Sequence, residues 1–548
     1  MLVLQQKAAL ANEKQLCRPA SASIVVSNLC LQVLWDALGI EGTGSQYESL
    51  KPSKADVFIS HSWSCSTWMK GLAVCHYLNL DMAILSSHLT TMLGVLILLF
   101  FSGSFSGVAQ LGCGLVGGAL IGWPVTAFLI VYFFGHVAIR KKFWLDRVCV
   151  DQDEQDLKLQ ILQALPCFVA QSAQVLVLWD ATYFERLWCN YELAVHAKTC
   201  TSTDSTQLVP LWMPLWTLAW FIVSTLTAAL CIGTQSAQIA LESRASIFAS
   251  QFYSTVLPSY VYFVCALPFA WFCIRKLDNH KLMMDQIAHF DLRNAKCKEE
   301  ADRKLIEEQV VQLFDEALDA PLEVCFCDIP PSKTEHCTND KRPLVSPEDL
   351  RDFRHITSYP TPDQIVDQFN SYVRGPLCDI IEASVGNEQH VSAKLCWVGM
   401  FPVFLSALVT VLSCDGRSDC QTSADYAGFR SVSQYMATNA MMNLVFMPLV
   451  TMLGLPLMLR ANSLTTGYIE SSWLQMLAGS VLSGLVLKAT NVLMYSQRGM
   501  MLVVATRFSA WWLVGLTASV LLELVLWWLL FRRNQPHLPL ARLLSQAY

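Results

Sequence analysis

The sequence of 548 residues contains few charged side chains. Only 15% of the residues are Asp, Glu, Lys or Arg, whereas 53% are hydrophobic, and the mean hydropathy is +0.39. A soluble globular domain usually carries about 25% charged residues, so this composition argues against that class. The net charge of −6, without a basic stripe, argues against a nucleic-acid-binding protein. The beginning, MLVLQQKAALANEKQLCR, lacks the pattern of a cleavable signal peptide.

Long apolar stretches are abundant instead. A helix that crosses a bilayer needs about 20 mostly apolar residues. The sequence contains roughly eight such stretches, which lie at 83–101, 111–135, 209–232, 253–274, 395–413, 437–458, 472–492 and 509–531. The 17 Trp agree with this, because indole rings favour membrane interfaces. We therefore expect a multi-pass α-helical membrane protein whose main partner is the lipid bilayer.

Basic residues near the ends of these stretches predict the orientation, because Lys and Arg concentrate on the cytosolic side. They follow the even-numbered stretches, at Arg140, Lys141, Lys142, Arg275, Lys276, Arg460, Arg532 and Arg533. We expect both termini to be cytosolic, and a plasma membrane and an internal membrane fit this topology equally. The expected division of the chain is a cytosolic segment 1–50, a split cytosolic domain 51–82 and 136–206, a membrane hairpin 83–135, membrane helices 207–274, a cytosolic helical region 275–394, membrane helices 395–531 and a cytosolic tail 532–548.

The split domain alternates predicted strands with predicted helices. The strands are ADVFISH, which ends at His61, the segment KFWLDRVCVDQ, and AQVLVLW, which ends at Trp179. Helical patterns follow each of them, the last being TYFERLWCNYELAVHAK. This alternation predicts a parallel sheet with helices on its faces, and ligands bind such sheets at the carboxyl ends of the strands.

These segments, in this order, resemble a TIR (Toll/interleukin-1 receptor-like) domain. The family has a strand like DVFISH, a Ser before a strand like VLVLS, and a helix that begins Y..S.WC..EL; here Ser172, VLVLW and YFERLWCNYEL take these places. WLDRVCVDQ is similar to the WIDALCIDQ segment of fungal heterokaryon-incompatibility domains. The resemblance covers about a quarter of the chain and implies a cytosolic α/β domain, flavodoxin-like with a parallel sheet, split by a membrane hairpin.

The sequence departs from the family at the rim of the expected site. We expect the hairpin to occupy the position of the second strand and of the loop after it, with that loop missing or reduced to the residues from Arg140 to Phe143. Arg186 replaces a Ser of the Trp-Cys motif, and Asp180 stands where the family often has Ser.

In enzymatic TIR domains the Glu of the WC..EL motif is needed to cleave NAD between nicotinamide and ribose. Glu192 takes that position, so the resemblance implies a catalytic Glu192 and NAD as a substrate rather than a cofactor. The residues expected to line the nucleotide site are Phe58, Ser60, His61 and Trp188. Helical geometry places Glu192 at the edge of the packing face of its helix, which also suits a structural Glu whose head meets water.

Other interpretations remain open. The domain could be a non-enzymatic scaffold that self-associates, since such domains often act as adaptors. The chain could also be a transporter or channel, because Lys488 and Glu523 lie within predicted spans. Cys325, Cys327, His336 and Cys337 lack the spacing of a common zinc module, and we expect no metal site. Cys414 and Cys420, on the non-cytosolic side, could form a disulfide or remain free thiols.

Overall fold

The computed structural model describes residues 14–38, 50–150, 154–199, 205–242, 247–297, 300–314, 361–417 and 419–531. The Cys325–Cys337 segment lies outside these residues. Within them the protein consists of a small mixed sheet with flanking helices, joined to a bundle of long apolar helices.

The sheet has five strands in the order β1-β3-β2-β4-β5. They are β1 (Ala20–Ser21), β2 (Val57–His61), β3 (Lys142–Trp144), β4 (Gln174–Trp179) and β5 (Thr206–Pro210). Strands β2 to β5 run parallel to their neighbours, and only β1 pairs antiparallel, at the edge beside β3. Every residue of β2 is buried, as expected for a central strand with both faces covered.

Short and medium helices pack around this sheet. In chain order they are α1 (Ala22–Leu38), α6 (Asp146–Cys149), α7 (Gln155–Gln171), α8 (Leu187–Thr199), α11 (Glu300–Phe314), α12 (Pro362–Tyr372) and α13 (Cys378–Val385). Helix α12 begins with a capping box, in which the Thr361 side chain accepts from the backbone N–H of Gln364 and the Gln364 side chain accepts from that of Thr361.

The remaining helices form the bundle. They are α2 (Thr67–Ser102), α3 (Phe105–Gln110), α4 (Gly112–Gly117), α5 (Trp123–Phe134), α9 (Trp212–Glu242), α10 (Ile247–Ala288), α14 (Ala393–Leu412), α15 (Cys420–Tyr426), α16 (Val432–Met441), α17 (Met447–Tyr468), α18 (Ser472–Arg507) and α19 (Ala510–Phe531). Turns of π-helix join α4 to α5 and α16 to α17, so that each pair forms one continuous span.

Seven helical segments among the described residues are long and apolar enough to cross a membrane. They are Thr67–Ser102, Gly112–Ala138, Trp212–Ala237, Ala393–Leu412, Val432–Tyr468, Ser472–Arg507 and Ala510–Phe531. Each coincides with a stretch named from the sequence, and together they indicate an integral membrane protein. The further predicted stretch, 253–274, falls in α10, where the side chains of residues 247–265 are outside the described part of the chain.

One continuous helix leads from β2 into the bundle. Helix α2 begins six residues after β2 and runs for 36 residues, so the expected boundary at residues 82 and 83 lies inside it. The chain returns through α5 directly into β3. The crossover between two adjacent parallel strands therefore contains the hairpin, and not one short helix as in an ordinary βαβ unit.

This connection corrects the expected position of the hairpin. The second parallel strand is present as β3, which follows the hairpin and pairs with β2 through the register of Val57 with Phe143. The segment after it is also present, with Asp146 at its start and α6 within it. The expectation that the hairpin takes the place of the second strand was wrong, because the insertion lies in the crossover helix.

Helices α11 and α12, which lie between α10 and α14 in the chain, pack against the sheet domain. Helix α11 lies on α8, where the Tyr191 hydroxyl donates to the Gln309 side chain. Ring contacts extend this packing from Phe184 through Phe290 to Phe369 of α12, with centroid distances of 5.9 and 5.8 Å. The described part of the predicted region 275–394 is therefore helical and shares the core of the sheet domain.

The far end of the bundle carries a disulfide. Helix α14 starts beside the helices that contact the sheet and spans 20 residues, about 30 Å. At its other end Cys414 and Cys420, the pair named from the sequence, are bonded to each other, with their Cα atoms 5.1 Å apart.

Candidate functional site

The carboxyl ends of three parallel strands meet at one edge of the sheet. Strand β2 ends at His61, β4 is followed by Asp180, and β3 is followed one residue later by Asp146. From β2 the chain continues to β3, which pairs with one side of β2. It then continues to β4, which pairs with the other side of β2. Such a reversal creates a crevice beyond the strand ends where doubly wound proteins bind ligands.

Glu192 of α8 points to this edge. The Ser60 hydroxyl donates to Glu192 Oε2 over 2.5 Å, and Ser60 Oγ lies 2.6 Å from the Tyr183 hydroxyl. Ser60 has a single proton, so Tyr183 donates to Ser60 while Ser60 donates to Glu192. This chain of hydroxyl groups fixes the carboxyl group above the end of β2.

The surroundings of Glu192 change its acidity. Burial raises the pKa of Glu192 to about 8, and the hydrogen bond from Ser60 opposes this with a smaller effect. The residue is nevertheless partly exposed. Burial also raises the pKa of Tyr183 well above its usual value, so that hydroxyl keeps its proton and remains a donor. Glu192 therefore exchanges a proton near neutral pH while solvent or a ligand can reach it.

A second group of side chains lies beside Glu192. The His61 Nε2 atom is 3.7 Å from Asp146 Oδ1, and the Trp63 indole N–H donates to Asp146 Oδ2 over 2.7 Å. The rings of His61 and Trp63 are stacked, with centroids 6.2 Å apart. Burial lowers the pKa of His61, which the Asp146 carboxylate partly opposes. The indole of Trp63 is 55% exposed and offers a flat apolar surface.

A network of hydroxyl groups ties the loop after β2 to the loop after β4. Ser62 Oγ lies 2.7 Å from Thr182 Oγ1, which donates to Asp180 Oδ1 over 2.9 Å. Ser64 also contacts the Thr182 hydroxyl. These bonds hold both loops in place around the site, and Asp180 acts as the acceptor that orients them.

The structure brings three of the five residues named from the sequence together: Ser60, His61 and Glu192. Phe58 is fully buried and stacks on Trp144 with centroids 4.8 Å apart, so it lies in the core and not at the rim. The Trp188 ring packs edge-on against Tyr191, at 6.2 Å, on the side of α8 that meets α11.

Sequence reasoning missed the roles of Trp63 and Tyr183. Trp63 lies two residues beyond the strand, in HSWS, and a large aromatic residue in such a loop is a signal that could have been used. Tyr183 was visible in the helix motif, but its hydrogen bond to Ser60 depends on the packing of α8 against β2.

The described part of the membrane bundle separates Lys488 from Glu523. Glu523 is 1% exposed, and its Oε1 accepts a hydrogen bond from Gln497 of α18. Lys488 lines a cavity that Glu523 does not reach. The described residues contain no group of three or more His, Cys, Asp or Glu that could hold a metal ion. No protein-family model matches the chain, and neither a curated protein nor a solved structure matches it.

Proposed function

We propose that the sheet domain binds NAD and hydrolyses it to nicotinamide and ADP-ribose, and that the bundle anchors this activity in a membrane. One observation carries the proposal: Glu192, the residue of the TIR-like motif, lies in contact with Ser60 at the carboxyl end of β2, where three strand ends meet. If Glu192 only covered the flank of its own helix, it would not need the hydrogen bond from Ser60, which lies in a different element.

The chemistry requires one well-placed carboxylate. The bond between ribose C1′ and the nicotinamide nitrogen breaks with its electron pair going to nicotinamide, which leaves as a neutral molecule. Positive charge develops on the ribose, and an ionised Glu192 stabilises it. The oxygen of a water molecule then bonds to C1′ and releases a proton. The proposal assigns Glu192 the role of electrostatic stabiliser, so its ionised form is the active one.

The neighbours of Glu192 have supporting roles in this proposal. Ser60 and Tyr183 orient the carboxylate by donating along one chain of hydrogen bonds. The exposed indole of Trp63, held by Asp146, provides a stacking surface for the nicotinamide or adenine ring. We assign His61 to positioning Asp146 and not to proton transfer.

The proposed topology places the sheet domain and both termini in the cytosol, where NAD is available. Its support is the excess of basic residues near the ends of the bundle next to the sheet, such as Arg140, Lys141 and Lys276. We propose the disulfide-bearing end on the opposite, non-cytosolic side, which is the compartment where disulfides persist.

Nicotinamide release by the full-length protein in detergent tests this function. We expect Glu192→Gln to lower the rate by about 100-fold or more, because it removes the charge that stabilises the transition state. Glu185→Gln is the matched control: Glu185 lies seven residues earlier, is 44% exposed and pairs with Lys296. This variant should retain the wild-type rate.

Two outcomes separate the parts of the proposal. If the wild type releases no nicotinamide, even when clustered, the enzymatic function is wrong and a self-associating scaffold becomes the better interpretation. If wild type and Glu192→Gln release it equally, only the role of Glu192 is wrong.

A further inference from the structure

Helix α2 begins at the edge of the sheet where the candidate site lies. Strand β2 ends at His61, and a short loop leads from it into α2, which starts at Thr67. The N-cap residue Ser66 forms no side-chain capping hydrogen bond. The first N–H groups of a helix have no partner within the helix, and together with the helix dipole they favour an anion. The beginning of α2 therefore presents N–H groups without a side-chain cap beside the crevice.

Lys70, at the end of the first turn of α2, is a buried cation that forms no ion pair. It is 3% exposed, and its ammonium group makes no side-chain hydrogen bond or ion pair with any described residue. The nearby residues Leu72 and Val74 belong to the core of the sheet domain, so this part of α2 packs on the sheet. A buried charge is costly unless a group of opposite charge pairs with it, and a bound anion is such a group.

Arg147 places a second cation at the neighbouring strand end. It follows Asp146 in α6, after β3, and is partly buried. Its guanidinium group forms no hydrogen bond or ion pair within the described part of the chain. Burial lowers the pKa of His61, and the positive charges of Lys70 and Arg147 lower it further. Both cations therefore lie near the end of β2, on two different elements.

Two carboxylates near these cations are already bonded to other side chains. Asp146 accepts from the Trp63 indole over 2.7 Å, and Asp180 accepts from the Thr182 hydroxyl over 2.9 Å. Their two negative charges balance the two positive charges of Lys70 and Arg147. The N-terminus of α2 supplies the further attraction for an anion, and the two cations supply groups that can contact it directly.

We propose that Lys70, Arg147 and the N-terminus of α2 bind the diphosphate of NAD, an assignment that rests on the proposed function of the sheet domain. The Lys70 ammonium pairs with one phosphate, and the Arg147 guanidinium has the planar shape that suits hydrogen bonds to the other. NAD combines a positive nicotinamide ring with a negative diphosphate. The crevice offers Glu192 to the first and the two cations to the second.

Equilibrium binding of ADP-ribose and of adenosine to the full-length protein in detergent tests this site, with calorimetry as the readout. ADP-ribose contains the diphosphate, and adenosine lacks it. We expect the wild type to bind ADP-ribose at least about tenfold more tightly than adenosine. Lys70→Met should weaken ADP-ribose binding by about tenfold and so reduce this preference. Because methionine is also long and unbranched, the variant removes a buried charge and keeps much of the packing.

Two further variants sharpen the test. Lys54→Met is the matched control, since Lys54 is exposed and lies three residues before β2, at the opposite end of that strand. It should bind ADP-ribose like the wild type. Arg147→Met should weaken ADP-ribose binding by about 3- to 10-fold, a smaller effect than that of Lys70→Met, because Arg147 is less buried and water screens its charge.

Turnover of NAD distinguishes a binding residue from a catalytic one. The diphosphate stays bound in the ground state and in the transition state, so Lys70→Met should raise KM by about tenfold and leave kcat within about twofold. Glu192→Gln should show the opposite pattern, with kcat reduced. A general loss of structure in Lys70→Met would lower kcat as well.

Three results would overturn the proposal. These are no binding of ADP-ribose to the wild type, equal binding of ADP-ribose by the wild type and folded Lys70→Met, and equal losses for ADP-ribose and adenosine in that variant. If Lys70→Met does not fold, Arg147→Met decides: weaker ADP-ribose binding supports the site, and unchanged binding contradicts it.

The two proposals can fail separately. If the wild type binds ADP-ribose through Lys70 but releases no nicotinamide from NAD, the hydrolase function is wrong and the diphosphate site stands. If the wild type hydrolyses NAD and Lys70→Met binds ADP-ribose as tightly as the wild type, only the diphosphate site is wrong.

Discussion

Two glutamates of this chain bond to neutral polar side chains but differ in their access to other molecules. Glu192, in the sheet domain, accepts from Ser60 and remains partly exposed at the sheet edge that also carries His61 and Asp146. Glu523, in the bundle, is 1% exposed and accepts from Gln497 of the adjacent helix. The contact with Gln497 joins α18 to α19, whereas the contact with Ser60 leaves a titratable group partly exposed at the sheet edge.

This difference shows why burial of a carboxyl group is not by itself a sign of function. Both residues lose hydration on folding, and hydrogen bonds offset part of that cost. Only at Glu192 do solvent access, a site motif and converging strand ends occur together. We therefore propose chemistry for the sheet domain and a structural role for Glu523, and the predictions below test that division.

Removing the serine hydroxyl near each carboxyl group should have unequal consequences for activity. Ser60→Ala removes the hydrogen bond that orients Glu192 and that lowers the pKa of its carboxyl group. Less of Glu192 is then ionised at pH 7.5, and we expect nicotinamide release to fall by about 10- to 100-fold. Ser519, which accepts a hydrogen bond from Gln497 next to Glu523 over 2.9 Å, is the matched serine in the bundle. An equal loss of nicotinamide release in Ser519→Ala would contradict the division of roles between Glu192 and Glu523.

Substitutions of Glu523 should lower the stability of the protein and leave its activity unchanged. Glu523→Ala removes the acceptor of the buried Gln497 amide, which should cost about 1–3 kcal/mol and lower the melting temperature in detergent by about 2–6 °C. Glu523→Gln, which keeps an acceptor oxygen, should lose less, and nicotinamide release should be unchanged in both. Loss of nicotinamide release in Glu523→Gln, with the melting temperature retained, would give Glu523 a functional role.

A pH-dependent stability contribution from Glu192 provides a further test. Its pKa is about 8 in the folded protein and 4.5 as the ordinary value, so the folded state binds the proton more tightly. The resulting stability is complete below pH 4.5 and is lost as the pH rises towards and through 8. Glu192→Gln removes this loss, so its melting temperature should exceed that of the wild type by more at pH 8.5 than at pH 5. A constant difference would mean that the pKa of Glu192 is not raised.

The sequence predicted those parts of the molecule that depend on local pattern. Apolar length located seven of the spans, and the end of ADVFISH together with the Trp-Cys motif predicted that Ser60, His61 and Glu192 line one site. The position of the hairpin was mistaken because the strand in KFWLDRVCVDQ was predicted, but its parallel pairing beside β2 depends on tertiary packing. Phe58 was misplaced because β2 is buried on both faces. The alternation of side chains along such a strand does not show which residues lie in the core and which line the site.

Other features arise only from tertiary packing. The Tyr183 bond to Ser60 needs α8 to lie on β2, and the contact of Gln497 with Glu523 depends on the rotation of two helices about their axes. The cavity around Lys488 is lined by helices that are far apart in the sequence.

The pH dependence of nicotinamide release by the full-length protein tests the central claim most directly. The claim is that an accessible Glu192 with a raised pKa acts in its ionised form. We predict that kcat/KM rises with pH and levels off above a midpoint near 8, the pKa of Glu192. Any residual release by Glu192→Gln should lack this midpoint. A wild-type rate that is independent of pH between 6 and 9, or that falls over this range, would contradict the account.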